Sequence, residues 1–383
     1  MKELRYLKEP VLKALDKKMV FIGGPRQVGK TTLSLDLIKP SSPQNEAYLN
    51  WDRNTDKSKI IKDQIPLNQK IIIFDEIHKY KNWRNLLKGL YDKYHETNKF
   101  IVTGSARLDY FRKGGDSLLG RYRYFRLHPF SITEFSNKPT KKYLDLLLRL
   151  SGFPESLFGQ DENEHRIWQR ERLDRVVTQD LRDLEQVKEI SQILILAESL
   201  PERVGSPLSL RSLAEVLGVS QPTVDRWIQI LSNLYFCYTI APFGSPKIRA
   251  VKKLQKAYMW DWSSVAEEGF RFENLVASHL LKYCHYIEDT QGYTMELHYL
   301  RDTDQREIDF VVLKNKKPLF AVECKTGERN LSSHIGYFKE RTKIPLFYQV
   351  HQGTRTYGEP QSGQVLPFIQ FYSELVKELG HRI

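Results

Sequence analysis

The chain has 383 residues, 40% of them hydrophobic and 28% charged, which excludes both a single small fold and an intrinsically disordered polymer and leaves room for two or three domains. Lysine and arginine number 59 against 47 acids, a formal charge of +12, so a polyanion such as nucleic acid is the expected partner and a basic ligand is not. Apolar runs such as Met19–Ile22, Ile71–Phe74 and Ile193–Ala197 fall far short of the ~18 residues a membrane-spanning helix needs, and three cysteines without zinc-ligand spacing (Cys237, Cys284, Cys324) exclude a disulfide framework and a structural zinc.

No membrane partner is therefore expected. The N-terminus lacks the unbroken apolar core of a secretory signal, and the expected compartment is reducing and cytoplasmic.

From about Tyr6 to Phe135, short apolar runs (Met19–Ile22, Tyr48 and Leu49, Ile71–Phe74, Phe100–Val102) alternate with amphipathic stretches such as Trp83–Tyr94. This alternation predicts a parallel sheet covered on both faces. Directly after the first run comes Gly24-Pro25-Arg26-Gln27-Val28-Gly29-Lys30-Thr31, followed by Thr32 and a predicted helix. Two glycines four residues apart, then lysine and a hydroxyl, describe a loop whose backbone N–H groups curl around an anion at a helix N-terminus. Lys30 is expected to reach the outer phosphates of ATP and Thr31 to ligate Mg2+. The run Ile71–Phe74 ends in Asp75-Glu76, and acids at the C-terminal tip of a central strand face the ligand crevice of an open α/β sheet. Asp75 is expected to hold the magnesium through water, and Glu76 to orient or deprotonate the attacking water. A further run, Phe100–Val102, ends in Thr103-Gly104-Ser105, hydroxyls placed to sense the γ-phosphate.

From about Lys138 to Ile240 the apolar period is helical. Within it, Ser209–Ile228 reads as a helix, a turn at Gly218 and a second helix capped by Ser220, with Leu213, Leu217, Val219, Val224 and Ile228 as its shared core. Pro222 suits the first turn, and Gln221, Thr223, Asp225, Arg226 and Gln229 form the polar set able to reach a DNA groove. Tyr235–Ile240 and Lys256–Met259 are expected as a two-stranded wing joined by Lys247–Lys256, which holds five basic residues and no acid. That unit serves either DNA, through phosphate attraction, or a protein partner.

Beyond about Ala257 strands return, at Met295–Leu300, Ile308–Leu313, Leu319–Cys324 and Pro345–Val350. If Leu313 pairs with Leu319, Asp309 stands opposite Glu323, and Lys325 shares their face. Two carboxylates and an ammonium among apolar neighbours need a compensating partner. One reading is phosphodiester hydrolysis, with Asp309 and Glu323 ligating magnesium and Lys325 steering or activating water; the other is an inert fold with a structural Asp309–Lys325 ion pair.

The order Gly24–Thr31, Asp75-Glu76-Ile77-His78, Thr103-Gly104-Ser105, Leu119-Gly120-Arg121 and Leu127-His128-Pro129-Phe130-Ser131-Ile132-Thr133-Glu134-Phe135 resembles the AAA+-type ATPases of bacteria and archaea that carry a helical and winged-helix region and a C-terminal domain similar to PD-(D/E)XK nucleases. The resemblance implies an α/β, parallel-sheet P-loop NTPase domain at 1–136, a helical and winged-helix domain at 137–260 and an α/β restriction-endonuclease-like domain at 261–383. It also implies an arginine supplied to the γ-phosphate, often by a neighbouring copy in a homo-oligomer, for which Arg121 is the first candidate and Arg107 the second. Glu273 resembles the upstream acid of such nucleases. One departure is that Ile308 precedes Asp309 where proline is common.

Overall fold

The computed structural model describes residues 5–104, 118–181, 189–244, 255–379 and 383. The chain forms two compact units: Met1–His128 with Thr178–Val187 and Asn233–Tyr235, and Pro129–Val177 with Lys188–Ser232 and Phe236–Ile383.

The first unit is built on five parallel strands, β1 (Met19–Gly23), β2 (Tyr48–Asn50), β3 (Ile71–Asp75), β4 (Lys99–Gly104) and β5 (Tyr122–Arg126), in the order β2-β3-β4-β1-β5. The all-apolar runs predicted as strands are the buried ones: every residue of β1 is buried, and β3 and β4 are buried after their first residue. Strands covered on both faces have no use for alternation, which is why they read as continuous hydrophobic runs. The helix Trp83–Tyr94 buries Trp83, Leu87 and Leu90, an i, i+4, i+7 stripe. Phe21 stacks on Tyr122 with ring centroids 4.3 Å apart.

Because β4 lies between β1 and β3, the register aligns three strand tips: Ile22 and Asp75 both pair with Thr103, and Gly23 pairs with Gly104. The loop after β1, the acids at the end of β3 and the hydroxyl of β4 thus open at one edge of the sheet.

In the second unit, Ser209 caps the helix Leu210–Leu217, its hydroxyl accepting from Ser212 N at 3.2 Å. Gly218 ends that helix in the left-handed region at φ 64°, a conformation glycine adopts without steric cost. Ser220 accepts from Thr223 N at 3.3 Å and opens the helix Gln221–Asn233. Leu213, Val224 and Ile228 are buried as expected, whereas Leu217 and Val219 are half-buried.

β6 (Cys237–Pro242) pairs antiparallel with β7 (Lys256–Met259), Cys237 opposite Met259. These strands are not a free-standing wing. The far end of β6 pairs parallel with β8 (Met295–Arg301) through Ala241 and His298, so both belong to an eight-stranded mixed sheet. Its other strands are β9 (Glu307–Lys314), β10 (Lys317–Lys325), β11 (Phe347–His351), β12 (Tyr357–Glu359) and β13 (Gly363–Pro367), in the order β12-β13-β11-β10-β9-β8-β6-β7. The segments expected on either side of residue 260 therefore share one sheet. An unpaired strand edge is a liability, and β8 removes the one that β6 would otherwise present. The helix Glu268–Gln291 packs on this sheet, and most of its first 20 residues are buried. Among the described residues no helix is long and apolar enough to cross a membrane.

Candidate functional site

The loop after β1 takes the shape its glycines permit. Gly24 has φ 148° and Gly29 has φ 98°; a Cβ at Gly24 would lie 2.3 Å from Leu127 O. Gln27, at φ 63°, carries part of the curl without being glycine. Helix Lys30–Leu35 starts at Lys30, two residues before the expected Thr32, with Gly29 at its N-cap. Val28 and Pro25 are buried while Arg26 and Gln27 are half-buried, and Thr32 is exposed. Lys30 is buried at the centre of the loop, where its Nζ donates to Gly24 O at 2.9 Å and Pro25 O at 2.8 Å.

Across the sheet edge, Asp75 is 4% exposed. Its Oδ2 accepts from Thr31 Oγ1 at 3.0 Å and from Tyr48 OH at 2.5 Å, and its Oδ1 accepts from Thr103 Oγ1. Tyr48 OH in turn accepts from Asn50 Nδ2 at 3.0 Å. Burial and the Asp75 charge raise the Tyr48 pKa, so the phenol remains a donor. Thr31 and Asp75 offer hard oxygen donors of the kind Mg2+ selects. Tyr48 and Asn50 were not expected here; they share one face of β2 by their two-residue spacing, but only the pairing of Asn50 with Asp75 brings that face to the acid.

Glu76 holds a left-handed backbone at φ 56°, ψ 22°, a conformation costing a non-glycine residue about 1–3 kcal/mol and characteristic of functional positions. Its N–H donates to Thr103 O at 3.0 Å, and its carboxylate lies 3.6 Å from His78 Nε2. Burial first, then the neighbouring Asp75 charge, raises its pKa, with Lys30 and Lys79 opposing. A second unexpected residue is Arg5, whose guanidinium donates to Val28 O at 2.5 Å and to His128 O. It staples the loop from a position 23 residues upstream in a charged N-terminal segment that carries no motif.

Arg121 makes a two-point pair with Asp92, Nε to Oδ1 at 2.6 Å and Nη2 to Oδ2 at 3.1 Å. Ser105 and Arg107 lie outside the described residues, as does the basic segment up to residue 254.

In the second unit, Gln221, Arg226 and Gln229 are exposed, and Thr223 and Asp225 half-buried, on the helix Gln221–Asn233. Lys256, expected where the basic loop meets the second strand of the wing, is fully buried. Its Nζ bonds Glu307 Oε1 and lies 3.5 Å from Glu273 Oε1. The reason is tertiary: Lys256 opens β7, where it meets two carboxylates distant in sequence.

The register of β9 and β10 departs from the expected one and then rejoins it. Leu313 pairs with Pro318, not Leu319; an irregularity between Pro318 and Phe320 shifts the register, and Phe310 pairs with Val322. Continuing that pairing by one residue carries Asp309 toward Glu323. The two acids have different hydrogen-bond donors. Asp309 Oδ2 accepts from Cys324 N at 2.7 Å, and Glu323 Oε1 accepts from Lys325 Nζ at 2.6 Å. The expected Asp309–Lys325 ion pair is thus replaced by a Glu323–Lys325 pair. Burial, reinforced by Asp309, raises the pKa of both Glu323 and Glu273. Among the described residues no group of three or more His, Cys, Asp or Glu is arranged to hold a metal ion.

Comparison with known proteins partitions the chain. Residues 140–267 and 268–371 match models of two domains of unknown function (DUF8612 and DUF4143). Two proteins of Methanocaldococcus jannaschii are similar along most of their length: uncharacterized protein MJ1544, 23% identical over 91% of this chain and 84% of its own, and uncharacterized protein MJ1637, 24% identical over 88% and 82%. Among solved structures, the Aeropyrum pernix Orc1 protein in complex with DNA aligns over 73% of this chain and 92% of its own, at 15% identity and a TM-score of 0.31. Residues 16–136 match the AAA domain model, and the loop after β1 and the acids at the tip of β3 lie inside that match.

Proposed function

We propose that this protein binds ATP with Mg2+ at the loop Gly24–Thr31, hydrolyses it, and couples nucleotide state to engagement of DNA by its second unit. The observation that carries the nucleotide reading is the hydrogen bond from Thr31 to Asp75, 3.0 Å long across 44 residues of sequence, which joins a phosphate loop to an acidic strand tip. Backbone N–H groups of the loop and the Lys30 ammonium bind the phosphates. Thr31 and Asp75 would hold the cation, while Tyr48 and Thr103 fix the Asp75 carboxylate. Magnesium held there would supply positive charge to the phosphates. Glu76, its proton affinity raised by burial and by Asp75, accepts a proton from the attacking water. Arg121 acts on the γ-phosphate of a neighbouring copy if it exchanges Asp92 for that anion. Lys30→Ala is expected to abolish Mg2+-dependent phosphate release; undiminished turnover by folded variant protein would remove the assignment.

DNA engagement is read from the exposed polar face of helix Gln221–Asn233 and from the net charge of +12. A second reading, a nucleotide-gated scaffold whose nuclease-like end does not cut, is favoured over a nuclease by the pairing of the acidic cluster with lysines.

A further inference from the structure

Four carboxylates of the second unit, Glu273, Glu307, Asp309 and Glu323, gather where helix Glu268–Gln291 packs on β7, β9 and β10. Glu273 and Glu323 are buried, and an isolated buried carboxylate is strongly unfavourable. One of the cations that compensates them is covalently part of the chain. Lys256 is 0% exposed; its Nζ bonds Glu307 Oε1 and stands 3.5 Å from Glu273 Oε1, over the ring of Tyr299 at 5.3 Å from the centroid. The surrounding groups complete the cage: Tyr258 OH donates to Glu273 Oε1 at 2.7 Å, and Arg301 Nη1 to Glu307 Oε2 at 3.1 Å. Burial works against this ammonium, but Glu273, Asp309 and Glu307 together hold its pKa above the ordinary lysine value, so it stays charged at neutral pH.

We propose that Lys256 is the resident cation of this acidic cluster, occupying the position a divalent metal would otherwise take, so that the cluster ties β7 to the long helix and β9 and is closed to Mg2+ and Mn2+. A divalent ion entering beside a fixed ammonium meets like-charge repulsion at a few ångströms in a poorly screened site. It would also find Glu273 and Glu307 already engaged. Replacing the lysine by a methionine of similar shape takes away the cation that Glu273 and Glu307 share, leaving Arg301 on Glu307, and a hard dication is the ligand that oxygen set selects.

The test is Mn2+ binding to the full-length chain without nucleotide, counted by electron paramagnetic resonance. Lys256→Met is expected to bind one more Mn2+ per chain than the unaltered protein, and the added ion to disappear in the Lys256→Met, Glu273→Gln double variant. A folded Lys256→Met protein that gains no Mn2+ overturns the proposal. Should Lys256→Met not fold, Glu273→Gln alone decides: unchanged Mn2+ stoichiometry supports a closed cluster, and loss of one bound Mn2+ shows that the acids already held a metal. ATP turnover is not the readout, so the outcome is independent of the nucleotide assignment.

Discussion

Gly24 shows how little freedom the phosphate loop has. At φ 148°, with Leu127 O where a Cβ would be, Gly24→Ala forces either the loop or β5's exit to move. Its expected effect is a loss of at least about tenfold in nucleotide affinity, the equivalent of ~1.4 kcal/mol, checked by calorimetry with a non-hydrolysable ATP analogue. His279 is constrained in a different way. Its Nδ1 donates to Leu275 O at 2.8 Å and its Nε2 accepts from Ile132 N at 3.0 Å, so the ring is neutral with its proton on Nδ1. Burial, with Lys282 in support, lowers its pKa from 6.5 to about 3. Because the unfolded chain takes up this proton first, the stabilisation is complete above pH 6.5 and is lost as pH falls from there toward 3, at up to ~1.4 kcal/mol per pH unit. Urea unfolding of the unaltered protein at pH 7.5 and 5 should show that loss, and His279→Gln should show less of it.

At the scale of elements, the segment Pro129–Phe135 is held to helix Glu268–Gln291 by a polar cluster. Lys282 Nζ donates to Glu134 Oε2 at 2.5 Å, Ser131 Oγ at 3.1 Å and Pro129 O at 3.2 Å, with Lys282 and Glu134 side chains 2% and 1% exposed. Removing one member of such a pair strands a buried charge. Lys282→Ala is accordingly expected to destabilise the second unit by ~3–5 kcal/mol, and Lys282→Ala with Glu134→Gln by less, measured by chemical denaturation. Much of the sequence Leu127–Phe135, conspicuous as a motif, thus acts as a docking element. The β9–β10 pair makes a related point. Proline cannot donate to a ladder, and the irregularity at Pro318–Phe320 is where the expected register and the observed one part and meet again.

For the molecule as a whole, the excess of 12 positive charges predicts DNA affinity that falls steeply with salt, because each neutralised phosphate releases counterions. Plotting log affinity against log salt concentration should give a negative slope, with Arg226→Ala reducing its magnitude by ~1 if Arg226 contacts a phosphate; salt-independent affinity would favour the scaffold reading. Some of this organisation was legible in the chain itself. The loop Gly24–Thr31, the apolar runs that became β1, β3 and β4, and the acids ending β3 were legible because each is specified within a few consecutive residues by backbone freedom, strand pattern and helix polarity. Tertiary structure alone decided which groups meet: Tyr48 and Thr103 on Asp75, Arg5 on the phosphate loop, β6 against β8, and Lys256 among acids at the end of a segment expected as a basic loop. Those encounters depend on strand order and register, which join residues tens to more than a hundred positions apart, and no local pattern carries that information.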